Sequence, residues 1–469
     1  MKRKLLIGLS AVCVLLVVAI ACKRNLNDGF DARGTNAGNG PFLGTVTLPQ
    51  VIATSRTLSK DTLYILNGKC YVDSGAILTI QAGGRIEGVN RKVGNNNDTA
   101  SALIITRGAK LYAEGTSTNP IHFTSHEASP QPGDWGGIVL LGKAPLNRAD
   151  TTIEGIQLPT VPAGIDVNYG GGGQGLGDTL DCSGKLQYCI IEYAGAIIST
   201  DNELNGLTCG GVGAGTVLDF IEVYRGNDDA FEFFGGTVNA KHLFAFEPDD
   251  DAFDFDFGYR GKIQFAVSVL TSSASNYSAN PNGIESDNNA TGADLQPYTR
   301  ATISNMTVIG LSDSTTAAAK GLLNGNYYRR KSAWRITNSI FMGFPVGLRV
   351  DAPVPALDTI YRNSLIQAFN TTVQGVTINA TNALYRTPNA NTDIKLKDPF
   401  GATPDFRPEA TSPALSRARD FSNLATTPAG GSCSAPAWLF GTVNYIGAFG
   451  AYNAASLGIN NWLFGWARY

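Results

Sequence analysis

Two segments of the chain repeat one dense string of carboxylates and aromatic rings. Asp228-Asp229-Ala230-Phe231-Glu232-Phe233 recurs as Asp250-Asp251-Ala252-Phe253-Asp254-Phe255, offset by 22 residues. Three kinds of behaviour fit such a string. Paired Asp groups can act as general acid and base, which makes Asp228, Asp229, Asp250 and Asp251 the catalytic candidates. Clustered hard oxygens can hold a divalent cation, foremost Ca²⁺, which takes about six to eight of them; Glu232, Asp254 and Glu285 are the metal candidates. The third possibility is a solvated polar face neutralised by Arg225, Arg260 or Arg349.

The spacing dictates what must position these groups. A strand phrase recurs as Lys185–Tyr193, Val217–Tyr224, Lys262–Val269, Thr302–Ile309, Trp334–Phe341 and Thr359–Ile366, the last three sharing an Asn four or five residues in. A shorter phrase alternates with it: Gly206-Leu207-Thr208, Ala230-Phe231-Glu232, Ala252-Phe253-Asp254, Gly283-Ile284-Glu285, Gly321-Leu322-Leu323 and Gly347-Leu348-Arg349, at spacings of 24, 22, 31, 38 and 26. Short strands returning once per coil, with loops such as Ser272–Asn282 and Asp287–Arg300 added to some coils, describe a parallel β-solenoid. A β-sandwich or propeller is the competing architecture. In a solenoid the twin strings fall on consecutive coils, roughly 4.8 Å apart. Alternation then sends Phe231, Phe233, Phe253 and Phe255 into the core and Glu232, Asp254 and Glu285 out to solvent as one column. Like charges so close either retain protons or enclose a cation.

The N-terminus reads as a targeting segment. Lys2, Arg3 and Lys4 precede the apolar run Leu5–Ile20, which ends in Ala19-Ile20-Ala21-Cys22. A basic head, an apolar middle and small residues before a cut form a secretory signal, here residues 1–21. Removing it leaves 33 basic against 39 acidic side chains, a net charge of −6, which disfavours nucleic acid as a partner. Residues 22–55, rich in Gly and Asn, read as a flexible tether, 56–380 as the β-helix, and 381–469, with Trp438, Trp462 and Trp466, as final coils and a cap over the open end. Three His (122, 126 and 242) argue against a His-rich zinc site. Cys182, Cys189 and Cys209 either form one bridge or remain buried thiols. Trp135 is expected in the core, and Tyr169–Gly177, which lacks a following Lys-Ser/Thr, is a loop and no phosphate cradle.

Several phrases together resemble the pectin-lyase-type right-handed β-helix lipoproteins widespread in Bacteroidota. They are Gly133–Gly142, Ile191–Gly195, Asn205–Thr208, Asp229–Gly236, Asp405-Phe-Arg-Pro408 with Ser412–Leu415, and Tyr445–Gly450. The segment ending in Cys22 resembles a bacterial lipoprotein box, which implies a lipidated Cys22, a membrane anchor and a place at the cell surface on the outer membrane. The resemblance implies a right-handed β-helix with a non-enzymatic role, binding glycan or matrix or serving envelope assembly with other envelope proteins. The alternative is a polysaccharide lyase or glycoside hydrolase. Asp228-Asp229 and Asp250-Asp251 resemble the Asp pair of polygalacturonase-like β-helix hydrolases, but His242 is not followed by Gly, and Arg260-Gly-Lys262 departs from the Arg-Ile-Lys of those enzymes.

Overall fold

The computed structural model describes residues 35–36, 39–92, 100–156, 160–199, 202–274, 277–278, 280–351, 359–422, 424, 433 and 438–469. The signal segment and Cys22 lie outside the described residues. Among the described residues, no helix is long and apolar enough to cross a membrane.

The chain winds as a right-handed parallel β-helix in which 27 strands join one continuous ladder. The coil spacing read from the repeats is the stacking register for every short phrase but Gly321-Leu322-Leu323: a helix, Ser314–Ala319, is inserted before it, and the strand that stacks on that coil is Asn324–Tyr328, with Glu285 paired to Tyr327 and Asn326 to Leu348. Phe231, Glu232 and Phe233 pair with Phe253, Asp254 and Phe255, and these in turn with Ile284, Glu285 and Ser286. Inside, Phe231 stacks on Phe253 (centroids 5.4 Å, 8°) and Phe233 on Phe255 (5.5 Å, 30°). Both pairs are fully buried. Trp135 is buried as expected, its indole N–H donating to the Glu192 carbonyl at 2.8 Å.

Each long rung bends once at a left-handed residue. Tyr188, Phe220, His242, Phe265, Asn305, Asn338 and Asn363 all have φ between 47° and 61° and occupy successive rungs. Asn tolerates that conformation better than other L-residues, for which it costs roughly 1–2 kcal/mol. This explains the recurring Asn of the strand phrase. In the earlier rungs ring stacking contributes in its place: Tyr188 on Phe220 at 4.3 Å, Phe220 on His242 at 4.1 Å, His242 on Phe265 at 5.2 Å.

Three features depart from the sequence reading. The β-helix begins before residue 56, because Gly44–Thr47 already pairs with Thr62–Ile65 and Val51–Ile52 with Tyr71–Val72. The C-terminal region is largely a strap along the flank. After one more strand, Ala383–Arg386 on Leu365–Ala368, the chain turns back over the left-handed column. The Asn363, Asn338 and Asn305 amides donate to the carbonyls of Ala418, Asp420 and Tyr445. Gln264 binds both backbone groups of Gly441, and Trp466 meets Tyr188 and Phe220 edge-on. The exposed amides and ring faces of that column need a cover, and the strap provides it. Finally, the disulfide is Cys182–Cys433, while Cys70, Cys189 and Cys209 are buried free thiols. Cys189 and Cys209 point into the core, where no partner sulfur faces them.

Candidate functional site: a carboxylate trough

The acidic column lies outside the apolar core, as alternation requires, but it is not in solvent. Glu232 and Glu285 are 4 % and 7 % exposed, and Asp254 is half-buried. This corrects the expected solvent-facing column. The physical reason is a roof of insertions. Residues 142–183 leave the solenoid after the strand Ile138–Leu141 and pack Leu146, Ile153, Ile156 and Tyr169 against the outer sheet face around Val139, Leu141 and Phe234. Asn147, fully buried, pins the roof by two donations: its backbone N–H reaches the Phe257 carbonyl (2.9 Å) and its amide the Asn288 side chain (3.1 Å). On the other side, Ser278 Oγ donates to Asp250 (2.5 Å), and Asn280 and Asn282 donate to Glu285 (3.3 Å each).

The Asp pairs divide into two roles. Asp229 and Asp251 join Asn205, Asn282 and Asn324 in a ladder at the start of the short strands. Asp229 Oδ1 accepts the Asp251 N–H at 2.9 Å, Asp251 Oδ1 accepts the Asn282 N–H at 2.7 Å, and the Asn324 amide donates to Asn282 Oδ1 at 2.8 Å. One oxygen of each Asp therefore splices consecutive rungs. Asp228 and Asp250 sit beside them, half-buried, on the trough side.

Ligand oxygens converge in three groups: Asp228, Asp229 and Asp250; Asp229, Glu232 and Asp254; and Asp251, Asp254 and Glu285. Within each group the oxygens lie within 4.8 Å of one another. Asp229 and Asp254 each belong to two groups, so the three are one connected cluster. Asp256 and Asp287 extend it two residues further along the rungs. Among the described residues, no salt bridge reaches Asp228, Asp229, Glu232, Asp250, Asp251, Asp254 or Asp256. The neutralising arginines expected from the sequence work elsewhere: Arg225 pairs with Glu247 and Arg349 with Asp351. Arg329 and Arg330 take their place, but only at the far end, where Arg329 binds Glu285 and Asp287 and Arg330 binds Asp287.

Burial, reinforced by neighbouring carboxylates, pushes Asp228, Asp229, Glu232, Asp251 and Asp254 well above the usual carboxylate range. Burial also raises Asp250, and it raises Glu285 to about 7 against the pull of Arg329. The cluster therefore holds protons near neutral pH unless a cation replaces them. Asn205 and Thr208, 2 % and 0 % exposed, each carry a side-chain oxygen without a hydrogen-bond partner, as does Asp254 at Oδ1. Asn205 donates its amide to Glu232, and Thr208 is the rung neighbour of Glu232. Uncommitted oxygens beside close carboxylates form a donor set that fits a hard divalent cation.

Beside this floor opens a cleft of about 500 Å³ between the roof and the sheet, lined in part by Arg148, Thr151, Thr152, Glu154, Phe234 and Phe257. Sequence reasoning missed Arg148 and Glu154, since a loop insertion carries no periodic signal. Asp256 and Asp287 were legible, lying two residues beyond Asp254 and Glu285 on the same face.

No curated protein sequence matches this chain. Among solved structures, it is similar to the crystal structure of pectate lyase Pel9A, with a TM-score of 0.38 and 14 % identity, covering 81 % of this chain and 89 % of that one. The model of the pectate-lyase-like β-helix domain matches residues 50–409. By that match the chain belongs to the pectate-lyase-like β-helix family.

Proposed function

We propose that the protein is a lipid-anchored, cell-surface β-helix that binds acidic polysaccharide through divalent cations, Ca²⁺ foremost, without turning it over. The observation that carries this reading is the connected carboxylate cluster, which among the described residues meets a base only at its far end, where Arg329 pairs with Glu285. Glu232, Asp254, Asp229 and Asp251 would hold the cations. A bound cation supplies positive charge that can bridge the protein to a glycan carboxylate. The anchor rests on the basic-apolar-Cys22 pattern of the N-terminus.

The catalytic alternative uses the same residues and is less well supported by the geometry. Asp229 and Asp251 each commit an oxygen to the next rung's backbone. The grouped oxygens lie within 4.8 Å, closer than the roughly 6.5–9.5 Å that separates carboxyls in an inverting glycosidase.

The test combines binding and turnover. Titration calorimetry with Ca²⁺ is expected to show binding that weakens at least about tenfold in Glu232→Gln/Asp254→Asn. Polygalacturonate and alginate are expected to be retained in Ca²⁺, released by chelator and left uncleaved. Cleavage products that disappear in Asp229→Asn or Asp251→Asn would establish the enzyme instead. Absence of Ca²⁺ binding at millimolar concentration would remove the cation.

A further inference from the structure

Three large apolar side chains stand in solvent at one tip of the strap. Leu457, Ile459 and Phe464 are 55 %, 47 % and 43 % exposed. They form one patch, because the Phe464 ring lies against Gly458, between the other two, where an added side-chain carbon would meet it at 3.0 Å. Apolar side chains scattered singly over a surface need no explanation, whereas a contiguous exposed group does.

The tip is held rigidly in this outward pose. Its turn is closed by the Asn461 N–H on the Gly458 carbonyl (3.4 Å) and the Phe464 N–H on the Asn461 carbonyl (3.2 Å). Beneath it, fully buried Arg407 donates to the Ser456 and Ile459 carbonyls at 2.9 Å each, while its other nitrogens grip Asp405 at 2.9 and 2.6 Å. The Asn460 amide donates to the Ala451 carbonyl at 2.8 Å. Leu463 and Trp466, both buried, root the loop in the strap. A loop that only covered coils would turn its apolar groups inward. This one commits a buried ion pair to a turn that points them out, so little ordering is left to be done on binding.

Charge decides the occupant. No Asp, Glu, Lys or Arg occurs between Asp420 and Arg468, a run of 47 residues in a chain that is 16 % charged. A protein interface sets partner and register with polar and charged groups at its rim, and this segment supplies no charge for that. A bilayer interface asks for the reverse: Leu and Phe at the boundary of headgroup and acyl chain, Trp close by, and no charge to desolvate. Trp438, Trp462 and Trp466 belong to the same run.

We infer that the Leu457–Phe464 tip inserts into the headgroup–acyl boundary of a lipid bilayer, giving the chain a second attachment besides its N-terminus. The inference rests on the anchored reading above in placing a bilayer within reach, and goes beyond it by naming a surface of the folded domain that meets the lipid.

The experiment reconstitutes the full chain on phosphatidylcholine vesicles and places a reporter at the tip with Phe464→Trp. The added emission is expected to lie at shorter wavelength than in the same variant without vesicles, and to be quenched when the acyl chains are brominated. Leu457→Ser/Ile459→Ser in that background should lower the insertion equilibrium about 10- to 100-fold and return the emission to its vesicle-free position. The unfolding midpoint without vesicles should not change, which controls for folding. Salt at about 1 M should leave the quenching intact, since no charge drives it. An added emission that neither shifts nor is quenched overturns the inference, as does quenching abolished by salt. A lipid-free dimer in sedimentation that Leu457→Ser/Ile459→Ser dissociates gives the surface to a second copy and also overturns it. Failure of the anchor reading looks different: Cys22→Ser then leaves the vesicle-bound fraction unchanged, while the reporter still answers for the tip.

Discussion

Asp254→Asn should stabilise the protein without cation and blunt its response to Ca²⁺. Asp254 is stacked between Glu232 and Glu285 and shares ligand groups with both, at oxygen separations within 4.8 Å. At that distance and an effective dielectric of about 20, one like-charge contact is worth about 3.5 kcal/mol. The folded protein avoids most of this by keeping protons. Glu285, raised from 4.5 to about 7, converts at 1.36 kcal/mol per unit to about 3 kcal/mol. The sign follows from linkage. A carboxyl raised by folding leaves stability intact below its unfolded value, and that stability is lost as pH rises through the folded value. The window for Glu285 therefore runs from about pH 4.5 to 7 and extends higher for Asp254, which desolvation and the carboxylates of Glu285, Asp256 and Asp287 push further up. Asparagine carries no charge and can donate to both neighbours. In chelator at pH 8, Asp254→Asn is expected to gain about 2–3 kcal/mol. That is a rise of about 2–3 °C in the unfolding midpoint for a chain of this length, taking about 2.1 cal/mol/K of unfolding entropy per residue. At pH 4.5 the gain should vanish. With millimolar Ca²⁺ at pH 8 the order should reverse, wild type gaining more than the variant. Thermal unfolding by circular dichroism at the two pH values, with and without Ca²⁺, reads all four corners. Equal destabilisation by Asp254→Asn at both pH values, insensitive to Ca²⁺, would refute the reasoning and make Asp254 an ordinary hydrogen-bonding residue.

Two further outcomes are expected elsewhere in the fold. Asn338→Ala puts a strained residue at φ 52° and removes the amide that both donates to and accepts from Asp420; the loss should be about 2–4 kcal/mol in urea unfolding, with faster proteolysis in the strap. Phe253→Ala removes a fully buried ring from the middle of the aromatic stack and should cost about 3–5 kcal/mol in the same assay.

The register of the twin strings could be read directly, because stacking set like residue types at like rung positions there, whereas the coil of Asn324–Tyr328, with Asn326 and Tyr327 in the places of an aliphatic and an acid, was misplaced by four residues onto Gly321-Leu322-Leu323. Phe231 over Phe253, and Glu232 beside Asp254 beside Glu285, follow from one offset and period-2 alternation. The recurring Asn of the strand phrase was visible before its reason, the left-handed bend at Asn305, Asn338 and Asn363. What escaped were contacts made by segments without periodicity. The roof that buries Glu232 comes from residues 142–183, and Arg148 lies within it. The partner of Cys182 is 251 residues away. Both are tertiary contacts of loops whose sequences encode turns, not destinations. The arginines failed for a related reason: Arg329 reaches Glu285 because its rung lies next above, while Arg225 is drawn to the nearer Glu247.

The strap changes how a solenoid of this kind comes apart. Stacked coils normally interact only with their neighbours, so an end coil can peel away while the rest persists. Here Cys433 is bonded to Cys182, Arg468 to Glu192, and Gly447 to Asn338. The final residues thus clasp coils from both the early and late parts of the stack. A local opening anywhere under the clasp must lift the tail as well, which merges those coils into one cooperative block. The same wiring sets an order of events during synthesis: the middle coils are not sealed until the strap has been made as far as Arg468, long after the coils themselves.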